Sequence, residues 1–279
     1  MGYLIRQDYK SLIQTDNLAQ IIGSDYTLLT KAEQAALSEV KSYLVQKYNV
    51  DREFVDTALF THSATYYPSS RFYLDADAYL ATAVYDTNAL VVYNNVVYIN
   101  ITPIATPEAW NGSKWASCGD RYAIFHIDME QDAEPSTEWD YYTEYEAGEF
   151  VWFGNKVYEA VTTNTALQPD ENPNQWGAGV AWSVPATDLP DGNAVFVAED
   201  NRNQQMVNYM IDVVLYHLHS RIAPRNIPDI RVKRYDDSIA WLKQCAKGDH
   251  LTADIPLIQP KQGMRNRYGG ALPKQNNSF

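Results

Sequence analysis

No stretch of this 279-residue chain approaches the roughly 20 consecutive apolar residues that a membrane-spanning helix needs. The opening MGYLIRQDYK has no signal-peptide h-region, and Arg6 stands where N-myristoylation wants Ser or Thr. Neither insertion nor secretion is expected. Cysteine is equally scarce: Cys118 and Cys245 stand alone, with no CxxC and no framework of pairs, which suggests two thiols in a reducing compartment. No GxSxG occurs, and neither cysteine sits in a recognisable nucleophile setting. Acid is missing altogether after Asp254, where Lys261, Arg265, Arg267 and Lys274 remain.

What is present is enough apolar residue, 46%, to bury a sizeable core as one elaborated domain or two ordinary ones. The net charge of -13 is unevenly spread. Between Val84 and Asp200, 19 acids face only Lys114, Arg121 and Lys156, which leaves 16 acids and 19 bases for the rest. An acidic middle in a mildly basic frame argues against a general nucleic-acid binder, which needs a contiguous basic surface to displace counterions.

The frame reads as helical at both ends. Thr30-Lys31-Ala32-Glu33 has the form of a capping box, and the residues after it place Ala36, Leu37, Val40, Leu44 and Tyr48 on one face. Near the other end Val207, Ile211, Val214, Leu218 and Ile222 recur at helical spacing, as do Val232, Tyr235, Ile239, Leu242 and Ala246. APRNIP breaks the pattern between them, Pro228 suits a first turn and Gly248 a far end, so a helical hairpin is expected. His217 and His219 lie two apart, about 200° around a helix, and cannot chelate one ion from it. They read as packing or interface residues, as does His62, and no metal or cofactor is expected.

Between the helical ends the period changes to two. YDTNALVVYNNVVY, from Tyr85, lies without a gap on YEAGEFVWFGNKVY, from Tyr145; each is a hairpin pattern, turning at Asn94-Asn95 and Gly154-Asn155. Pro107-Glu108-Ala109-Trp110 then matches Pro173-Asn174-Gln175-Trp176. This internal repeat implies two small β modules of one kind, about residues 84–127 and 140–184. The modules resemble the small chitin- and cellulose-binding modules of chitinases, the second better, with Tyr145, Gly148, Val151, Tyr158, Pro169, Pro173 and Trp176 in order. The first has Asn88 for Gly148 and a shorter loop before Pro107. The resemblance implies sugar-stacking or docking aromatics, for which Trp110, Trp115, Trp152, Trp176 and Trp182 are the candidates, although a module this small also needs Trp for its own core.

The acidic run IDMEQDAEPSTEWD, with Asp128, Glu130 and Asp132, fails as a calcium loop because Ala133 and Trp139 stand where Gly and Glu are required. It reads as a solvated link, and a glycan-cleaving enzyme has only acid density behind it.

The helical frame resembles the Mu-like head–tail adaptors of tailed bacteriophages, a group that includes crAss-like phages. Leu215, Tyr216, Arg221, Pro228, Arg234, Tyr235, Asp236, Asp237, Ile239, Trp241, Leu242, Lys247 and Gly248 occupy the family's pattern, with Ser238 departing from Ala. The resemblance covers residues 201–249 well and about the first 80 weakly; the middle insertion lies outside it. It implies a non-enzymatic structural virion protein at the head–tail junction, assembled in the host bacterial cytoplasm as a homo-oligomeric ring of about twelve copies with closed heterologous contacts. Its partners would be the portal and the next neck or tail ring protein, with DNA passing through unread and no membrane involved. Arg231, Arg234, Lys261, Arg265, Arg267 and Lys274 are then candidate subunit or portal contacts.

The expected architecture is α+β: an adaptor domain of residues 1–83 and 201–253, a β-rich insertion of residues 84–200, and an extended basic arm of residues 254–279. The competing expectation is a carbohydrate-binding decoration or fibre component, its helices anchoring the aromatics.

Overall fold

The computed structural model describes residues 2–23, 25–127, 137–181, 183–185, 196–222, 227–247 and 255–259. Trp182, Gly248, Lys261, Arg265, Arg267, Lys274 and the acidic residues from Asp128 to Glu134 lie outside these described residues. Helices α1 (Thr15–Ile22), α2 (Tyr26–Leu44) and α3 (Val50–Glu53) open the chain. Short strands follow: β1 (Thr57–Leu59), β2 (Thr65–Tyr66), β3 (Arg71–Tyr73), β4 (Leu90–Tyr93), β5 (Val96–Asn100), β6 (Trp115–Asp120), β7 (Ile124–Ile127) and β8 (Thr137–Glu138). The series continues with β9 (Glu144–Tyr145), β10 (Phe150–Phe153), β11 (Lys156–Glu159), β12 (Asn164–Thr165), β13 (Val180–Ala181), β14 (Val184–Pro185) and β15 (Phe196–Val197). Helices α4 (Gln204–Ile222) and α5 (Asp229–Lys247) complete an α+β fold. Among the described residues, no helix is long and apolar enough to cross a membrane.

The hairpin of α4 and α5 forms where the apolar spacing places it. Val207, Ile211, Val214 and Leu218 are buried against Ile239 and Leu242, and α2 closes the bundle through Ala36, Val40 and Leu44. Pro228 acts as the residue before α5, its carbonyl accepting the N–H groups of Arg231 and Val232. Ile222, at the end of α4, is exposed. The start of α2 differs from the Thr30 capping box. Gly23, at φ 60°, ends α1 in the left-handed conformation, and the Asp25 carboxylate then caps α2 by accepting the Thr27 N–H at 2.9 Å. That earlier cap wins, so Thr30 lies inside the helix, donating to the Tyr26 carbonyl, while Glu33 accepts from the Tyr9 hydroxyl at 2.7 Å.

Strands begin at Thr57, well before Val84. A basal sheet in the order β1-β3-β7-β15 joins β1 and β3 in parallel and β3, β7 and β15 antiparallel. Leu74 and Ala123 flank the β3–β7 pair and are bridged by a 3.0 Å backbone hydrogen bond, so the first module occupies the turn of a long hairpin. The second occupies the connection from β7 to β15. Phe72 and Phe125 stack at 5.4 Å in the core shared by the basal sheet and the first module.

The two modules superpose in their hydrogen bonding. In the first, the Asn88 N–H donates to the Asn100 carbonyl and Asn100 N–H to Ala89; in the second, Gly148 donates to Ala160 and Ala160 to Glu149. The Tyr85 hydroxyl accepts the Leu80 N–H at 2.7 Å, as the Tyr145 hydroxyl accepts that of Asp140. Asn88 has φ 70° where Gly148 has φ 92°, so the substitution keeps the backbone conformation; asparagine is among the few side chains that tolerate it. Asn94 and Asn95 both have positive φ, as a type I′ turn requires, whereas only Gly154 does in the second hairpin.

The repeat extends further than the sequence alignment, but in another register. Asn100 pairs with Trp115 and Ala160 with Trp176, while Lys114 donates to the Asn111 carbonyl as Gln175 does to Asn172. Trp115, not Trp110, is the counterpart of Trp176. The first loop is one residue shorter, whereas the Pro-x-x-Trp match implies a loop six residues shorter and so falls five positions ahead of the true counterpart.

Candidate functional site

The tryptophans divide sharply once placed. Trp176 is fully buried in the second module, donating its indole N–H to the Leu167 carbonyl at 2.8 Å. Trp115 is buried in the first module against Tyr85, at 5.3 Å and 76°, repeating the Tyr145–Trp176 contact at 5.4 Å and 64°. Neither ring is open to a sugar. Trp152, on β10, packs with Val157 against the shared core of the basal sheet and first module, and so cements one module to the other. Trp110 is half-buried and lies nearly parallel to Tyr93, centroids 4.0 Å apart, and to Trp115. Tyr142, which the sequence did not single out, is 76% exposed.

The two described arginine candidates both face Asp212, although the Arg234 side chain stays 40% exposed. Arg231 and Arg234 approach the same Asp212 oxygen at 3.7 and 3.6 Å, and Arg231 is largely buried. Burial raises the Asp212 carboxyl above its ordinary range, and the two guanidiniums offset part of that. The histidines are scaffolding of the bundle: His217 Nε2 meets the Glu39 carboxylate at 3.0 Å, and the Tyr235 hydroxyl donates to the same group at 2.6 Å. Three helices, α2, α4 and α5, are tied at that point. Burial first, then the bond to Glu39, pushes the Tyr235 phenol upward. His219 pairs with the Leu215 carbonyl through Nδ1.

Segment 255–259 does not begin a free arm. Ile255 is buried in the helical core, the Pro256 carbonyl accepts from Asn49, Ile258 donates to Lys47, and Gln259 donates to Asp140 of the second module.

Two polar arrangements escaped sequence reading because their members lie far apart in the chain. The first is a buried lock where the β region leaves and rejoins the helices. Arg202, its side chain 1% exposed, donates to Asp8, Asp200 and the Tyr3 carbonyl. The Tyr3 hydroxyl donates to Glu53 at 2.6 Å, and Arg71 donates to the carbonyls of Glu53 and Val55 and to Asn201. Burial opposes the Arg202 charge, yet hydrogen bonds to Asp200 and Asp8 raise its pKa on balance.

The second is a cleft of about 550 Å³ between the N-terminal turn, α1, the start of α2 and the end of the β3–β7 hairpin. Its floor is apolar, with Ile13, Leu18, Ile22 and Leu29. Its rim is cationic and aromatic: the Arg6 guanidinium lies 3.9 Å from the Tyr26 ring centre, and Lys10 and Arg121 reach the Tyr122 ring at 5.7 and 4.7 Å. Asp75 is the lone carboxylate among the described lining residues and is paired with Arg121 at 2.7 Å. Tyr122 has φ 68°, a costly conformation for a bulky residue, held by its N–H bond to the Leu74 carbonyl. Such an arrangement can hold an anionic group over an apolar floor.

Comparison with known proteins adds no identity to this geometry: no family model matches the chain, and no curated protein is significantly similar to it.

Proposed function

We propose that this chain is a structural protein of a tailed-phage virion, a head–tail connector that forms a ring beneath the portal and gives the next neck or tail protein its attachment surface. The observation that supports this reading is the behaviour of the adaptor-like pattern in three dimensions. Its residues make the interlocking contacts of the α4–α5 hairpin: Tyr216 stacks on Tyr235 at 4.0 Å, Trp241 lies 4.8 Å from Tyr209, Arg234 reaches Asp212, and Leu215 and Leu242 are fully buried. A pattern of that kind specifies a scaffold, and the β modules are built into one connection of it, between α3 and α4. The sugar-binding alternative is less well supported, because Trp115 and Trp176 fill cores and Trp152 joins modules.

Electron microscopy of the purified protein, alone and mixed with its portal, tests the proposal. Ring-shaped particles that cap the portal are expected. A protein that stays monomeric at high concentration and never adds to portals would overturn the reading.

A further inference from the structure

We infer that the cationic, tyrosine-rimmed cleft is the acceptor half of a head-to-tail contact, and that its occupant is the acidic segment of residues 128–136 from a second copy of this chain. The inference rests on the ring reading for the presence of that second copy, and on the charge and placement of the two parts for the contact itself.

The cleft concentrates positive charge in a chain of net charge -13: Arg6, Lys10 and Arg121 line it against the single paired Asp75. Each cation rests on a tyrosine ring, an arrangement that limits the freedom of a long side chain before any ligand arrives. The occupant should therefore be anionic and long enough to span the rim. Residues 128–136, DMEQDAEPS, carry Asp128, Glu130, Asp132 and Glu134 with no base among them. In an extended backbone those four acids alternate onto one edge.

The ring reading supplies the neighbour, and the placement of the two parts is compatible with it. The segment leaves β7 at Ile127, whereas the cleft is formed at the opposite end, at Arg121 and Tyr122 just before β7 begins. Ile127 is pinned to Phe196 and Thr137 to Val151, which fixes where the segment departs and returns. The segment's anchor at Ile127 and the cleft at Arg121 and Tyr122 mark opposite ends of β7, and a closed heterologous ring requires two unlike faces.

The test uses a fluorescent peptide of sequence DMEQDAEPS titrated onto the full-length protein. Saturable binding is expected, weakened roughly tenfold between low and high salt as screening shortens the range of the charges. A peptide with Asn and Gln at the four acidic positions should bind at least about tenfold more weakly, as should the wild-type peptide on an Arg6→Glu, Lys10→Glu protein of unchanged melting temperature. Absence of saturable binding, or equal binding by the neutral peptide or to the reversed cleft, overturns the inference.

A second measurement examines the copy-to-copy contact. The protein with the reversed cleft and one with the four acids changed to lysine should each fail to self-associate, yet associate with each other when mixed. A ring that forms as well with either set of changes as it does without them sinks this contact and leaves the ring reading intact. A wild-type chain that is monomeric everywhere, portals included, retires both.

Discussion

Arg202 illustrates how much a single residue can depend on partners the sequence hides. Its side chain is 1% exposed, and it holds Asp8 from the N-terminal turn and Asp200 from the end of the β region. Removing it strands two carboxylates in a poorly solvated place, so Arg202→Ala should cost about 3–5 kcal/mol in a urea titration. Arg202→Lys should recover little of this, because an ammonium cannot reproduce the paired fork. The pH dependence has a definite sign. Burial alone would raise the Asp200 carboxyl, but the bonds from Arg202 hold it below its ordinary value. A depressed acid contributes stability that is present above its unfolded value of about 3.9 and lost as pH falls through the folded one. Acid unfolding followed by tryptophan fluorescence should therefore begin at higher pH in Asp200→Asn than in the parent. Cys245 carries a simpler expectation. Burial pushes its thiol up to about 11, so native protein at pH 8 should react with a thiol reagent at Cys245 far more slowly than denatured protein does. An unhindered reaction would mean that the α5 packing is looser than described.

Among the elements, those with a strong local signal were legible. The hairpins of β4–β5 and β10–β11 follow from alternation and from the turn chemistry of Asn94-Asn95 and Gly154-Asn155. The α4–α5 hairpin follows from apolar spacing interrupted by prolines. The basal sheet was not legible, because its strands are two to four residues long and pair across large gaps, Phe72 with Phe125 and Ile127 with Phe196. The same shortness of signal misplaced the closing tryptophan of the first module, where the Pro-x-x-Trp of Pro107 to Trp110, five residues ahead of Trp115, mimics the one that ends at Trp176. Substitution separates the two. Trp176→Ala and Trp115→Ala should each cost about 3–5 kcal/mol, as expected for a large aromatic removed from a core, whereas Trp110→Ala should cost clearly less. Equal losses for Trp110 and Trp115 would restore the sequence register. The position shared by Asn88 and Gly148 gives a matched pair: Gly148→Val should destabilise by about 1–2 kcal/mol through its positive φ. Asn88→Gly should stay within about 1 kcal/mol of the parent, since it exchanges one tolerant residue for another.

At the scale of the molecule, a helical core and a main β core meet at the Arg202 lock, with a smaller core in each module, and the boundary between the helical and β parts is not where composition changes. Charge and period shift near Val84, but Phe60, Tyr66, Phe72 and Leu74 already belong to the β core, together with Val97, Cys118 and Phe125 from the far side of that boundary. Replacing residues 84–200 by a flexible linker would therefore cut through a core and leave Phe60, Phe72 and Leu74 uncovered. Replacing residues 57–199 instead removes that core as a unit. The ends to be joined are close to each other, because the Thr57 N–H donates to the Gly2 carbonyl while Arg202 donates to the Tyr3 carbonyl. Lengthening a loop adds closure entropy only slowly, so the linker itself costs little. The expected outcome is that the deletion of 57–199 gives a soluble protein with a cooperative thermal transition in its helical circular dichroism, at a reduced midpoint because Arg71 leaves the lock. The deletion of 84–200 should instead aggregate or melt without cooperativity, having exposed aromatic surface and lost Asp200 as well. If the smaller deletion proved the better behaved, the β strands before Val84 would belong to the helical domain, and the two-core division would be wrong.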